Sequence, residues 1–366
     1  MGSRALLAGA ASLNSHWLAW LALVLVLAGC SQARYDGPVS DHFDGREFHN
    51  EEPFPHTFSD LIGYVLKREP IEWSTDEQLP PRPAPRQRID KGELQLTWVN
   101  HATVLIQADG LNLLTDPIWS ERASPLGFAG PQRHHPPGVA FADLPPIDVV
   151  MISHSHYDHM DFASLERLHQ AHDPLFVVPL GNGALLQPLG IDKVVELDWW
   201  QGTPLSNGCV LSAVPVKHWS NRRVLPSDRN LSLWAGFVLQ TGAGPVYFGG
   251  DSGYDTHYLD TYERYGAMRA SLLPIGAYLP RWFMAYQHTG PVEAVQAHRD
   301  LASAFSLGIH WGTFKLAPEG RFQPADLLPE ARRAQAVAAA DFIAPEPGAR
   351  YDVPPLAGGS TCHPMK

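Results

Sequence analysis

The stretch Ile147 to Ile152, apolar apart from Asp148, runs into His154-Ser155-His156-Tyr157-Asp158-His159. Short apolar runs of this kind suit a strand buried on both faces. Such a strand would deliver four ligand-type side chains, His154, His156, Asp158 and His159, at its C-terminal end. His154 and His156 alternate along extended chain and project to one side. The turn that follows sends Asp158 and His159 towards a second position. Neutral imidazoles and carboxylates suit a borderline divalent ion such as Zn²⁺. Imidazoles packed this densely without a cation would repel one another when protonated and lose hydrogen-bond partners when buried. The competing reading is a His-rich surface loop, which the preceding buried strand argues against.

Three further candidates each end an apolar run. His218 follows Ala213-Val214-Pro215-Val216-Lys217, Asp251 follows Val246-Tyr247-Phe248-Gly249-Gly250, and His310 follows Ser306-Leu307-Gly308-Ile309. Alone, His218 or His310 would read as a core or surface histidine, and Asp251 as a turn residue. With the first cluster they make seven ligand-type side chains at strand ends. Strands are expected at 94–99, 103–106, 111–114, 175–178, 209–216, 233–239, 245–248, 271–274 and 305–309. Helices are expected at 162–170, 258–265, 291–302 and 325–340. With Gly and Pro numbering 31 and 33, the chain has many turns and long loops rather than a helical bundle. Strands mixed with helices, and polar clusters at strand ends, predict an α/β sandwich with its site along one edge of the sheets. No G-x-S-x-G elbow is present to supply a serine nucleophile.

The order His-x-His-x-Asp-His, His, Asp, His resembles the metallo-β-lactamase superfamily. The flanking strings narrow the resemblance. Trp98 to Thr103, Leu114 to Pro117, Arg122 to Pro125, Lys217-His218-Trp219, Gly250 to Tyr254, Arg281 to Met284 and Ile309 to Phe314 are similar to N-acyl-phosphatidylethanolamine phospholipase D and its bacterial relatives. The resemblance implies an αββα four-layer sandwich, two mixed β-sheets flanked by helices, over residues 93–345. It implies one metal on His154, His156 and His218, a second on Asp158, His159 and His310, and Asp251 bridging them. Two Zn²⁺ are expected, with Mn²⁺ or Fe²⁺ as alternatives. Cations about 3.5–4 Å apart share a water and lower its pKa towards about 7, which suits hydrolysis of a phosphodiester. Asp158 and Asp251 would then serve in catalysis. His288 is expected beside the reacting phosphate, binding substrate or protonating the leaving group. Asp116 and His101 are expected to support the ligands from behind. Trp282 and Tyr286 are read as an apolar wall for acyl chains or a membrane, and Arg122 and Arg133 as contacts for phosphate. His134, His135, His169 and His172 read as solvent-exposed, and His298 as a surface or packing residue. The expected substrate is a phospholipid or other phosphodiester. A lactone or other ester, an iron oxygenase of the same fold, and a non-catalytic metal-binding lipoprotein are the alternatives.

The N-terminus carries a separate signal. Trp17 to Gly29 is apolar and uncharged, short for a membrane span of roughly 20 residues, and ends in Leu27-Ala28-Gly29-Cys30. Residues 1–29 are therefore expected to be a lipoprotein signal peptide, with Cys30 lipidated and the enzyme held in the bacterial periplasm at the outer membrane. An uncleaved signal anchor is the alternative. Residues 30–92, with Pro80-Pro81-Arg82-Pro83-Ala84-Pro85, read as tether and lead-in, with a short helix expected at 58–66 packing on the domain, and 346–366 as a C-terminal tail. An oxidising periplasm would allow Cys209 and Cys362 to pair, and the sequence leaves that pairing open. A formal charge of −11 argues against nucleic-acid partners. A homodimer is the oligomer considered.

Overall fold

The computed structural model describes residues 35–67, 71–76, 78–223 and 228–357. The expected signal peptide, Cys30 and Cys362 lie outside the described residues, which form one compact unit. Its strands are β1 (Leu94–Asn100), β2 (Thr103–Ala108), β3 (Leu111–Thr115), β4 (Val149–Met151), β5 (Leu175–Pro179), β6 (Val194–Leu197), β7 (Gly202–Pro204), β8 (Val210–Val214), β9 (Gly236–Gln240), β10 (Val246–Phe248), β11 (Ala270–Pro274), β12 (Ser306–Ile309), β13 (Phe342–Ile343) and β14 (Arg350–Asp352). They build two seven-stranded sheets, ordered β14-β1-β2-β3-β4-β5-β6 and β13-β12-β11-β10-β9-β8-β7.

Each sheet is half antiparallel and half parallel. Hairpins give the antiparallel half, β1-β2-β3 in one sheet and β7-β8-β9 in the other. In the parallel halves, β3 to β6 and β10 to β13 run the same way. Parallel neighbours need crossovers, and helices supply them. The helices are α1 (Phe58–Lys67), α2 (Phe162–His172), α3 (Gly183–Leu186), α4 (His257–Tyr265), α5 (Arg281–Met284), α6 (Pro291–Asp300) and α7 (Gln323–Ala334). Leu96, Trp98, Val104, Ile106 and Leu113 of the first sheet share one apolar core with Leu211, Phe237, Tyr247, Phe248, Leu272 and Leu307 of the second. A second core, with Leu105, Leu114, Val150, Leu165, Leu168 and Phe176, lies between the first sheet and α2. The result is the four-layer αββα sandwich that the resemblance implies.

One segment departs from the sequence reading, and another, the lead-in with its expected helix at 58–66, packs over more of its length than that helix. The C-terminal stretch is not all tail: β14 pairs antiparallel with β1, Gln95 opposite Asp352. It covers an edge that would otherwise present unpaired backbone groups. The lead-in from Tyr35 onward packs on the domain. Phe43 and Phe48 are buried with Val216, Leu233 and Trp234, and Tyr64 of α1 stacks on Phe283 at 4.7 Å. Further along, Trp73 donates to the Glu319 carbonyl and Asp76 pairs with Arg321. Among the described residues, no helix is long and apolar enough to cross a membrane.

Candidate metal centre

The loops that follow β3, β4, β8, β10 and β12 emerge on one edge of the sandwich, joined there by the β1–β2 turn. They carry Asp116, His154 to His159, His218, Asp251, His310 and His101 respectively. Three of these, His101, Asp116 and His310, sit at positive φ of 43°, 34° and 62°. Non-glycine residues adopt that region at a cost that the surrounding structure must bear. Gly250, before Asp251, has φ 54°, and a Cβ there would lie 2.6 Å from the Ser153 Cβ. Only glycine lets β10 deliver Asp251 this close to the histidine loop.

The first group is His154, His156 and His218. His154 Nδ1 donates to Ser153 Oγ at 2.9 Å, and that hydroxyl donates to Asp116 Oδ2 at 2.6 Å. His218 Nδ1 donates to the Gln287 carbonyl at 3.0 Å. Both rings therefore turn an unprotonated Nε2 inward. His156 Nδ1 lies 2.7 Å from His154 Nε2 and 3.4 Å from His218 Nε2. Burial keeps all three imidazoles neutral: His154 well below its ordinary value, His156 down to about 3, His218 to about 4.

The second group is Asp158, His159 and His310, with His101 behind it. His159 Nδ1 donates to Asp116 Oδ2 at 2.6 Å, which points Nε2 at Asp158 Oδ2 and Asp251 Oδ2, 3.2 Å from each. His310 Nε2 is 3.3 Å from Asp158 Oδ2 and 3.1 Å from Asp251 Oδ1. His101 Nε2 meets Asp158 Oδ2 at 2.9 Å, and its carbonyl accepts the His310 N–H. Burial opposes charge on His159 and His310, but the carboxylates outweigh it. They hold His159 well above its ordinary value and His310 at about 9. Burial likewise opposes charge on Asp158 and Asp251, yet the histidines around them hold both well below the carboxylate range.

Asp251 stands between the groups. Its Oδ2 is 3.7 Å from His218 Nε2 and 3.8 Å from His288 Nδ1, while Oδ1 faces His310. Facing ligand atoms form sets within 4.8 Å of one another: His154, His156 and His218; His101, Asp158, His159 and His310; His154, His159 and Asp251; His218, Asp251 and His288. Several buried atoms here make no hydrogen bond: His159 Nε2, Asp251 Oδ1, His156 Nε2 and His288 Nδ1. Unpaired buried polar atoms are costly. Converging imidazole nitrogens, unprotonated in the first group and held against two carboxylates in the second, suit divalent cations.

A cavity of about 400 Å³ opens on this edge, lined by His156, Asp158, Asp251 and His288 on its floor. Ala123, Pro125, Trp219, Ala277, Met284 and Leu316 give it an apolar wall, and Asn221, Arg222 and Arg223 a polar one. Of the expected substrate contacts, His288 lines the cavity. Trp282 and Tyr286 do not: Trp282 is 51% exposed on α5 outside it, and the Tyr286 hydroxyl is tied to Asn50 and the Glu52 carbonyl. Arg122 lines a neighbouring cavity, its guanidinium bonded to the Gly130 carbonyl and Gln132. Arg133 is buried, and its nitrogens donate to the carbonyls of Ser120, His135 and Ile118, so no donor is aimed at a phosphate. His135, read as exposed, is buried against Thr313 at 2.8 Å. His298 is buried on α6 and bonds Ser306 Oγ.

Arg222 escaped the sequence reading. Its guanidinium lies between the rings of Tyr157 and Phe162, at 4.3 and 3.7 Å from their centroids. Its Nη1 donates to the carbonyls of Ser155 and Met160, at 2.9 and 2.8 Å. The chain after His218 thus clamps the His154–His159 loop.

The sequence of residues 111–311 matches the family described as the β-lactamase superfamily domain. An uncharacterized protein of Mycobacterium tuberculosis is 41% identical over 270 residues, 72% of this chain and 70% of its own length. N-acyl-phosphatidylethanolamine-hydrolyzing phospholipase D 1 of Caenorhabditis elegans is 38% identical over 245 residues, 64% of this chain and 68% of its own. Among solved structures, isothiocyanate hydrolase from Delia radicum gut bacteria superposes with a TM-score of 0.58 at 20% identity, covering 72% of this chain and all (100%) of that one.

Proposed function

This chain belongs to the β-lactamase superfamily, in the metal-dependent hydrolase fold, and from that premise we propose that it is a two-metal phosphodiesterase acting on N-acyl-phosphatidylethanolamine-like phospholipids. The observation that carries the hydrolase is the convergence of seven side chains on one buried edge with Asp251 between two groups. We assign His154, His156 and His218 to one cation, Asp158, His159 and His310 to the other, and Asp251 to both. The donor set fits Zn²⁺, with Mn²⁺ or Fe²⁺ also matching nitrogen and oxygen ligands. Bound there, such ions supply Lewis acidity and an acidified water.

The chain's own residues supply the rest. Asp116 orients His159 directly and His154 through Ser153. His101 holds Asp158. Burial and its histidine neighbours, against the pull of Asp251, keep His288 uncharged, so its imidazole donates a neutral N–H to a phosphoryl or departing oxygen. In the net reaction a water oxygen joins phosphorus, the phosphorus–oxygen bond to the amide-bearing alcohol breaks, and that alcohol leaves with a proton. Phosphatidate remains.

Two features favour a lipid diester over a small ester. The Met284, Leu316 and Ala277 wall gives acyl chains an apolar surface inside the cavity. Outside it, Trp282 is exposed on α5, and Leu61, Ile62 and Leu66 are exposed on α1, whose Tyr64 stacks on Phe283; we read these side chains as an apolar rim. The relatives named N-acyl-phosphatidylethanolamine-hydrolyzing phospholipase D, from Caenorhabditis elegans and, at 34% identity, Saccharomyces cerevisiae, are consistent with that substrate. Attachment of Cys30 to a bacterial membrane would place the enzyme beside it.

The test is hydrolysis by purified, metal-loaded full-length protein, with N-acyl-phosphatidylethanolamine vesicles beside a panel of lactones and simple esters. Phosphatidate release that chelation abolishes is expected. Lactone turnover without diester turnover overturns the substrate reading. Protein that binds no divalent cation overturns the hydrolase itself.

A further inference from the structure

Three of the seven proposed ligands have obvious supports. His154 and His159 lean on Asp116, and Asp158 leans on His101. His218 is different. It lies beyond the end of β8, in chain whose nearest ladder contact is the isolated bridge of Lys217 with Gly253. Its imidazole hangs on one backbone carbonyl, that of Gln287. Something else must hold both backbones in place.

That support comes from the lead-in, outside the region that matches the family. The side chain of Asn50 reaches three partners at once. Its Nδ2 donates to the His218 carbonyl at 2.7 Å and to the Tyr286 hydroxyl at 3.0 Å, one residue before Gln287. Its Oδ1 accepts the Trp234 indole N–H at 3.0 Å. One amide therefore fixes the backbone of His218 and the segment that fixes its ring. Glu52 reinforces the clamp: its carboxylate pairs with Lys217 Nζ at 2.6 Å, and its carbonyl accepts the Tyr286 hydroxyl. Phe54 packs edge-on against the Tyr286 ring at 5.2 Å. The strap is itself anchored upstream. Phe43 and Phe48 are buried beside Trp234, and both ring nitrogens of His42 meet carboxylates, of Asp41 and Asp198.

The strap serves one half of the centre. Among the described residues, the lead-in's hydrogen bonds with side chains towards the other half end on His134, Lys315, Glu319 and Arg321, short of Asp158, His159 and His310.

We propose that Asn50 is a positioning residue: the N-terminal strap, through its amide, sets the place and orientation of His218 and so tunes one of the two cation sites and not the other. The proposal rests on the two-metal reading above. Its consequence is asymmetric. Outer partners of metal ligands typically change affinity by about 10–100-fold, and here the loss should fall on a single equivalent.

The experiment uses the full-length chain, stripped of metal and titrated with Co²⁺, read by equilibrium dialysis and by the ligand-field spectrum. Asn50→Ala removes all three bonds. Asn50→Asp keeps the size and the acceptor for Trp234 but sets an oxygen against the His218 carbonyl. Both variants should weaken one equivalent by about 10–100-fold, alter that equivalent's spectrum, and leave the other within about threefold of wild type. Phe43→Leu keeps an apolar side chain in the strap's anchor and leaves the three partners of Asn50 in place, so both equivalents should stay within about threefold of wild type. Should the alanine variant lose its cooperative melt, the aspartate variant carries the test. Unchanged binding in both variants overturns the proposal while the two-metal reading survives. Equal weakening of both equivalents, a matching loss in Phe43→Leu, or failure of both Asn50 variants to fold makes Asn50 a general stability residue and also overturns it. Wild-type protein that takes up no Co²⁺ removes the two-metal reading and this proposal together.

Discussion

The His154–His156–His218 half of the centre and the Asp158–His159–His310 half are built on opposite electrostatic plans. In the first, burial keeps every imidazole neutral, and the supports are a serine hydroxyl, a backbone carbonyl and the strap. In the second, buried carboxylates hold His159 and His310 protonated at neutral pH, and Asp116 and His101 brace the set. A cation entering the first half meets acceptors already free of protons. A cation entering the second must displace protons that are standing in for its charge. On the two-metal reading, one fold thus offers two sites that differ in proton cost while sharing Asp251.

Removing what they share should have the largest effect. Asp251→Asn takes a negative charge from between the groups while keeping the shape. Hydrolysis should fall by more than the roughly 100-fold upper end of outer-partner substitutions, and both cation affinities should drop in dialysis. Retained activity would mean that the halves work independently.

Arg222→Met comes next, because this side chain holds the loop that carries ligands of both halves. It removes two hydrogen bonds from a buried cation, each of a kind worth about 1.5–3 kcal/mol, and leaves the Ser155 and Met160 carbonyls unpaired. Urea unfolding should show a loss of about 2–4 kcal/mol, and both affinities should weaken together. Arg222→Lys should recover little, since an ammonium cannot lie flat between Tyr157 and Phe162 while donating to both carbonyls. Selective loss from one half would show that the loop is not rigid.

Why the ligands were legible and their supports were not follows from the same geometry. Four of the seven ligand-type residues fall within six positions, His154 to His159, and the buried strand before them gives their direction, so the motif shows in one glance at the chain. His218, Asp251 and His310 showed because each ends an apolar run, which β8, β10 and β12 supply. What supports them did not show. Arg222 sits in Asn221-Arg222-Arg223 and reads as a surface pair; its partners are 67 and 62 positions away. Asn50 meets His218 across 168 positions and His135 meets Thr313 across 178, from Pro- and Asn-containing stretches without periodicity. A single polar side chain in irregular chain carries no period, so only the fold reveals its partner. The same blindness left the lead-in outside its 58–66 helix a tether, and made a tail of β14 and a phosphate contact of Arg133, which is spent on carbonyls.

Asp116→Asn sharpens the comparison. An amide in that place still accepts one bond but loses the charge that draws the His159 Nδ1 proton. The affected equivalent should weaken by about 10–100-fold. The His154–Ser153 link depends on a neutral hydroxyl and should suffer less, so the loss should fall mainly on the equivalent that Asn50→Asp spares. Combining the two substitutions should then weaken both equivalents. If Asp116→Asn and Asn50→Asp weaken the same one, the assignment of ligands to halves is wrong.

Acidity should separate the halves without mutation. Protonated His310 is favoured below about 9 and its proton is lost above that value, so a cation that needs the free imidazole competes with that proton throughout the neutral range. Affinity for the second half should therefore rise by about tenfold per pH unit for each proton displaced, up to about pH 9. Affinity for the first half should be nearly flat from pH 6 to 9, because His156 and His218 are already unprotonated there, with values of about 3 and 4. Calorimetry in buffers of different ionisation enthalpy would count the protons released by each equivalent. Equal release by both would erase the electrostatic difference between the halves.

The smallest effect belongs to Trp282, which touches neither half. It stands half-exposed on α5, packed edge-on against Phe283, and Phe283 is stacked on Tyr64 of α1. If the rim meets lipid, Trp282→Ala should lower turnover of vesicle-borne N-acyl-phosphatidylethanolamine by about threefold to tenfold, the loss expected from part of one aromatic side chain's buried area. Turnover of a short-chain, water-soluble diester should not change, and neither cation affinity should move. A loss of equal size on the soluble diester would mean that Trp282 acts through α5, by way of Met284 and His288 at the cavity wall. The apolar rim would then be part of the scaffold of the site rather than its contact with a bilayer.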